Sequence, residues 1–356
     1  MTDTVPSFVT AADTSVGEPF CTSGTSPTTI HLVGPGQVGQ AFLRLLPDTS
    51  FRLVGITDTS ATLHAREGLD PTALAELKAR HSRLRDVPNA ESLPVDLAID
   101  LVDADVVVDA TPTGLDGAAA VRRNLRVLNR GKRIALASKD ALCLAAQDLL
   151  AQRNRDRVGF HAALGGTGAA LQSELSELRR ECREIIIVGN ASTTAVIETV
   201  ERGGSIEDGI RRAQEKGVLE PDPELDLSGA DAATKLIAVV RALWQRDVCV
   251  DDVRREHLTG LAVDTLRRRF QAGSTTRLVA RARPGGALQV SYEAVSRSSV
   301  LAVPPTHVVY TYELSSGESR VHVGHGIGPR HTAEALLHDV RVLSARLQQG
   351  SARRVS

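Results

Sequence analysis

Short apolar runs alternate with amphipathic stretches through the first part of the chain. Thr29–Val33, Phe51–Thr57, Val106–Asp109 and Arg133–Ala137 each read as a strand bounded by Gly, Pro, Asp or Ser. Between them apolar positions fall at helical spacing, as in Gln40–Leu46 and about Ala118–Asn129. This alternation predicts an α/β unit built on a doubly wound parallel sheet of Rossmann type over residues 29–152. The texture then changes. Val158–His161 and Glu184–Gly189 read as strands, with helices at about 193–202 and 205–216 and a long helix at 231–245 that is apolar nearly all round. From residue 256 onward the period is two, and Thr276–Arg283, Leu288–Ala294, Val308–Leu314 and Arg320–Gly324 predict antiparallel strands. A glycine turn at Gly324–Gly328 opens a last helix, Thr332–Leu347. The expected organisation is a tail (1–28), an α/β domain (29–152), an α+β domain (153–323), a C-terminal helix (324–347) and a short tail (348–356).

Composition narrows the classes. The chain has 356 residues, 42% of them hydrophobic, enough for a sizeable core shared by two domains. A net charge of −1 offers neither a nucleic-acid groove nor affinity for an anionic membrane. No apolar run approaches the roughly 20 residues of a membrane helix. Cys21, Cys143, Cys182 and Cys249 are scattered without metal spacing and read as reduced thiols of a cytoplasmic protein. Residues 1–28 are rich in Thr, Ser, Pro and Gly, contain no Lys or Arg, and match neither a secretory nor a transit peptide, so a disordered tail is expected.

Two regions carry chemistry. Gly34-Pro35-Gly36-Gln37-Val38-Gly39 is a GxGxxG turn between a strand and a helix, where glycines let a pyrophosphate approach the helix N-terminus. Asp58, at the end of the second strand, is placed to accept from ribose hydroxyls, while the nearby Arg66 would serve a 2′-phosphate, so NAD and NADP both stay open. Thr111–Thr113 and Ser138–Lys139 lie at the C-terminal ends of later strands, the side of such a sheet that faces its ligand.

The second region is Ala213–Leu236. It crowds Glu220, Asp222, Glu224, Asp226 and Asp231 together and places Asp231 one helical turn before Lys235. Lysine is scarce here, five residues against 37 arginines, and only lysine can give up its proton when desolvated. Hydride transfer to a carbonyl leaves an alkoxide that needs a proton, which makes Lys235 and Lys139 the candidates. Asp231 would orient the ammonium of Lys235, and Glu220 would bind an α-amino group. Lys78 and Lys216 read as ordinary surface lysines. Asp222, Glu224 and Asp226 read as loop scaffolding, and they fail as a calcium loop because Leu227 and Ala233 stand where glycine and glutamate are needed. His325 and His331 read as loop or helix-start residues. No zinc spacing and no GxSxG turn is found.

These residues resemble the homoserine dehydrogenase family over about residues 29–345. The resemblance rests on GPGQVG at 34–39, DATPT at 109–113, ASKDAL at 137–142, ALGGTG at 163–168, AQEKGVLEPDPELDLSGADAATKL at 213–236 and GHGIGPRHTA at 324–333. It implies interconversion of L-aspartate 4-semialdehyde and L-homoserine with NAD or NADP by a homodimer. It further implies catalytic roles for Lys235 and Lys139, substrate contacts from Glu220, Asp231, Ser192 and position 218, and nucleotide contacts along 34–39 and at Asp58, Thr111, Thr113, Ser138 and Gly326. The 29–152 segment would be the dinucleotide domain, 153–323 the catalytic and dimerisation domain, and 324–347 a C-terminal helix returning to the nucleotide domain. A monovalent cation, Na or K, is implied at the backbone of Leu164, Gly166 and Gly168.

The chain departs from the family pattern at several places. Val218 replaces a tyrosine, Ala191-Ser192-Thr193-Thr194-Ala195 replaces a GTTNY-like turn, Ser138 replaces an asparagine and His161 a glutamate. A regulatory ACT domain is not expected. A missing tyrosine hydroxyl in a polar site alters discrimination strongly. Two other readings therefore stand beside homoserine oxidation: a paralogue acting on a related amino aldehyde, and a non-catalytic nucleotide-binding regulator.

Overall fold

The computed structural model describes residues 26–80, 82–113, 117–219, 223–325 and 328–355, with the backbone alone for 350–355. They cluster in two units. The first comprises the chain up to Ala141 together with Asp148–Ala163 and the segment from Gly328 on; the second comprises Leu142–Gln147 and Leu164–Ile327.

The first unit carries strands β1 (Thr29–Val33), β2 (Arg52–Thr57), β3 (Thr62–His64), β4 (Val106–Asp109), β5 (Arg133–Leu136) and β6 (Val158–Gly159). Their order in the sheet is β3-β2-β1-β4-β5-β6, parallel throughout except for the β2–β3 hairpin. Helices α1 (Gln37–Leu45), α2 (Pro71–Ala79), α3 (Val95–Leu101) and α4 (Ala118–Asn129) connect the strands. This is the Rossmann-type sheet the alternation predicts. The two-residue strand Val158–Gly159 corrects one expectation: it lies past the change of texture, yet it pairs with β5. Its own run is too short to show which sheet it joins.

Alternate residues of the central strands, Ile30 and Leu32, Val106 and Val108, are buried against Phe42 and Leu43 of α1. Leu336, Val340 and Leu343 of the C-terminal helix α12 (Pro329–Val355) complete that layer. Each such side chain contributes about 1.5–3 kcal/mol by leaving water. Asp339 of α12 is buried, and its carboxylate accepts from the His161 N–H at 2.9 Å just after β6. A Cβ on Gly159 would lie 2.7 Å from that side chain, so only glycine lets the helix come this close.

One polar cluster is sealed inside the sheet. His31 is fully buried, its Nε2 lies 2.7 Å from Thr57 Oγ1, and Thr57 meets Thr62 at 2.9 Å. Burial, with the charges of Lys132 and His64 adding to it, pushes the His31 imidazole down to about 3.

The second unit is built on a sheet of order β12-β11-β7-β9-β10-β8. Its strands are β7 (Cys182–Val188), β8 (Val253–Arg255), β9 (Ser274–Ala282), β10 (Leu288–Ser296), β11 (His307–Leu314) and β12 (Ser319–His325). Every pair is antiparallel except β8 with β10. Its helices are α6 (Gly168–Glu181), α7 (Ala191–Glu201), α8 (Ile206–Glu215), α9 (Glu224–Leu227), α10 (Ala230–Trp244) and α11 (Val263–Gln271), while α5 (Asp140–Leu149) contributes residues to both units. The period-two strands and the long apolar helix fall where the pattern predicts them. Helix α9 does not, because the proline-rich acidic stretch masks a single helical turn. His325 is the last residue of β12 and not part of a loop, its ring 4.3 Å from that of His307.

Candidate active site

The glycine turn of the first unit is shaped for a close approach. Gly34 has φ +85°, and a Cβ there would lie 2.7 Å from the Thr111 nitrogen; a Cβ on Gly39 would lie 2.5 Å from the Gly34 oxygen. Around Gly36 the space is open within 4 Å. No side chain caps helix α1 and its first turn has no acid, so the backbone N–H groups of Gln37, Val38 and Gly39 begin a helix that favours an anion. These features fit a dinucleotide pyrophosphate.

The polar residues around the turn are more committed than their positions suggest. Asp109 is buried and paired with Arg123, whose Nε lies 2.8 Å from Oδ2. Thr111 donates its hydroxyl to Asp109 at 2.6 Å and its N–H to the same oxygen at 3.1 Å, and its hydroxyl accepts from Arg123 at 2.6 Å. Thr113 is exposed, Ser138 is buried, and Lys139 is half-buried at the end of β5. Gly326 lies outside the described residues.

Asp58 does not offer a free acceptor. Its Oδ1 accepts from Ser60 N, Ser60 Oγ and Ala61 N, and its Oδ2 from Lys78 Nζ at 2.6 Å and Leu84 N at 3.1 Å. Burial alone would raise this carboxyl. The Lys78 ammonium and the Ser60 and Leu84 donors outweigh it and hold the group down at about 2. Lys78, an ordinary surface lysine by its sequence, is thus an ion-pair partner with little exposure.

In the second unit a polar cluster forms where β7 meets α7, α9 and α10. Asn190 caps α7: its Oδ1 accepts from Thr193 N at 2.9 Å, Thr193 Oγ1 at 2.8 Å and Ser192 Oγ at 3.1 Å. The same amide donates through Nδ2 to Asp226 Oδ1 at 2.8 Å and to Asp231 Oδ2 at 3.4 Å. Lys235, one turn along α10, donates to Asp231 Oδ2 at 2.8 Å and to the Gly189 carbonyl. Its alkyl stem passes Gly189, where a Cβ would stand 3.5 Å from Cδ. Helix α10 buries Leu236, Ile237, Val239 and Val240 around this pair, which keeps it from being a solvated surface bridge.

Burial pushes the Asp226 carboxyl up, and the neighbouring Asp231 charge adds to the push against the pull of Asn190, Ser192 and Lys235. Two carboxylates against one ammonium leave the cluster electron-rich, suited to a ligand ammonium. Asp226 was expected to be scaffolding and is instead bonded into this cluster. Asn190 was missed, although an Asn directly ahead of a Ser/Thr-rich helix start is a capping signal. Glu220 lies outside the described residues. Val218 is half-buried, and its N–H closes the end of α8 on the Ala213 carbonyl.

The glycine loop offers a mixed fit to a cation. Leu164 O already accepts from Thr167 Oγ1 at 2.7 Å and from Thr167 N, so it is a poor ligand. Gly166 has φ +77° and Gly168 begins α6. Gly324 of β12 lies against this loop, with a Cβ placed 2.8 Å from the Gly165 oxygen. Among the described residues no group of three His, Cys, Asp or Glu could hold a metal ion.

Comparison with known proteins agrees with this geometry. Residues 171–341 match the family model of homoserine dehydrogenase, and residues 20–126 match that of glutamate/leucine/phenylalanine/valine dehydrogenase. The homoserine dehydrogenase of Methanocaldococcus jannaschii is 28% identical over 327 residues, covering 87% of this chain and 97% of its own. An NAD(+)-dependent homoserine dehydrogenase of Pseudomonas canavaninivorans is 26% identical over 335 residues, covering 87% of this chain and 94% of its own. In fold, the chain matches a hyperthermophilic archaeal homoserine dehydrogenase in complex with NADPH, with a TM-score of 0.76 at 21% identity over 90% of this chain and 98% of that one. Homoserine dehydrogenase from Thermoplasma acidophilum gives a TM-score of 0.72 at 23% identity over 90% of this chain and 99% of that one.

Proposed function

We propose that this chain, an NAD(P)-dependent oxidoreductase that belongs with the homoserine dehydrogenases, interconverts L-aspartate 4-semialdehyde and L-homoserine. The observation that carries the reading is the Lys235 ammonium held 2.8 Å from Asp231 beside the Asn190–Asp226 pair. The nicotinamide, when bound, exchanges a hydride with the carbinol carbon of the substrate. The chain's own residues manage charge and protons. Lys235 in its neutral amine form takes the hydroxyl proton as the alcohol is oxidised, and the ammonium so formed returns it to the alkoxide oxygen in the reverse direction. Asp231 and the Gly189 carbonyl fix where that ammonium points. Asp226 and Asp231, with Glu220 by resemblance, would hold the substrate's α-ammonium. Lys139, also by resemblance, is the second catalytic lysine.

Nucleotide binding is proposed at the turn 34–39 and at the ends of β4 and β5. Gly166 and Gly168 are the proposed carbonyl ligands of a monovalent cation whose role would be to hold the loop. A homodimer is proposed as well, and the half-exposed Val321 and Val323 along the edge strand β12 support an apolar contact there. A cytoplasmic location fits the reduced thiols of Cys182 and Cys249.

Purified protein is expected to reduce NAD(P)+ with L-homoserine, and Lys235→Ala to slow that rate by about 100-fold or more while nucleotide still binds. Binding of nucleotide without homoserine turnover at any pH would transfer the assignment to a related amino alcohol, the reading that Val218 favours.

A further inference from the structure

Strand β7 ends on Val188, and Gly189-Asn190 turns the chain into α7. Asn190 is buried at that turn, and its amide is engaged on both sides. Oδ1 accepts from the Thr193 N–H at 2.9 Å, from Thr193 Oγ1 at 2.8 Å and from Ser192 Oγ at 3.1 Å. A backbone N–H can only donate, so the atom facing it is the oxygen, and the orientation of the amide is settled. Nδ2 is thereby turned to the acids, 2.8 Å from Asp226 Oδ1 and 3.4 Å from Asp231 Oδ2.

Capping alone does not call for an amide, because serine and aspartate cap a helix about as well as asparagine. A serine hydroxyl ends at the capping atom. An aspartate has no hydrogen to give and would add a third negative charge. Asparagine accepts from α7 with one atom and donates to carboxylates with the other. The two hydrogens of Nδ2 match two carboxylates, one from α9 and one from α10, and Asp231 Oδ2 takes the Lys235 ammonium at 2.8 Å as well. Hydrogen bonds thus run from the start of α7 through Asn190 to Asp226 on one side and to Asp231 and Lys235 on the other, each polarising the next. The bond from Asn190 also opposes the upward push that burial and the Asp231 charge exert on the Asp226 carboxyl.

We propose that Asn190 is a positioning residue of the proton-transfer site: its amide, locked by the cap of α7, holds the Asp226 and Asp231 carboxylates side by side and so fixes where the Lys235 ammonium stands. The proposal rests on the assignment of Lys235 as the proton-transfer group. A neutral donor at position 190 leaves both negative charges to a ligand ammonium. A carboxylate there would put a third charge beside the lysine and strengthen its hold on the proton. The phenols that bear on these acids from the sheet, Tyr292 of β10 and Tyr310 of β11, are kept protonated by burial and stay neutral.

Two variants of the full chain separate the cap from the link to the acids. Asn190→Ser keeps a capping oxygen and removes the donor. Its melting temperature is expected to stay close to that of the wild type, while kcat for homoserine oxidation falls about tenfold or more. Asn190→Asp keeps the shape and exchanges the donor for a charge. It is followed with lysine labelled at the ε-carbon, since five lysines give few signals and Lys235→Ala identifies the one needed. The Lys235 signal should titrate about half a pH unit or more above its wild-type midpoint, and the acid limb of homoserine oxidation should move the same way. Wild-type kcat in the serine variant, or an unmoved Lys235 midpoint in the aspartate variant, reduces Asn190 to a helix cap and overturns the proposal. Absence of homoserine turnover in the wild type overturns the proposed substrate instead, and the lysine titration still decides the role of Asn190.

Discussion

Lys78 closes over Asp58, its Nζ 2.6 Å from Oδ2, twenty residues away at the end of β2. The aspartate is neutralised, and both its oxygens are filled by protein donors. A ribose 2′-hydroxyl finds no vacant acceptor there, and a 2′-phosphate meets no naked negative charge. The wild type is therefore expected to bind NADP+ at least as tightly as NAD+. In Lys78→Met the Asp58 charge is released, and the ratio of NADP+ to NAD+ affinity should fall by about tenfold or more. Calorimetric titration with each nucleotide measures this directly, and an unchanged ratio would sink the idea.

Asp226 carries a different trade. Its carboxyl is pushed up mainly by burial and also by Asp231, so its ionised form is a cost to the fold and a gain to a cationic ligand. Asp226→Asn keeps an oxygen to accept from Asn190 and removes the charge. Thermal melts near neutral pH should show the variant as stable as the wild type or more so, by up to about 1 kcal/mol. Its KM for homoserine should rise about tenfold or more. A variant with unaltered KM would remove Asp226 from the substrate site.

His31 sets an acid limit on the first unit. Its imidazole is pushed down to about 3 in the fold, against an ordinary value of 6.5. The unfolded chain therefore binds a proton that the folded chain refuses. Stability from this group is complete above the ordinary histidine range and is lost as pH falls toward 3, by about 2 kcal/mol at pH 5. His31→Leu should flatten the decline in melting temperature between about pH 6 and 4. An equally steep decline in the variant would place the acid sensitivity elsewhere.

Much of this was legible along the chain. Apolar alternation located the Rossmann-type strands, and the period-two stretches located β9 to β12, because both patterns are local consequences of which face is buried. The glycine turn and the Asp231–Lys235 step needed only spacing, since a tight turn and one helical repeat lie within a few residues of chain.

Other features were fixed by distant partners and left no local trace. The commitment of Asp58 to Lys78 joins β2 to α2, and the sheet membership of Val158–Gly159 depends on a strand more than twenty residues earlier. The bond from Asn190 to Asp226 joins α7 to a helical turn that the prolines concealed. The sequence alone determined which elements form and which residue types can carry a hydride-coupled proton transfer. The tertiary structure decided which polar atoms are already spent on one another and which remain for a ligand, because hydrogen-bond capacity is settled by the three-dimensional neighbours and not by the order of residues.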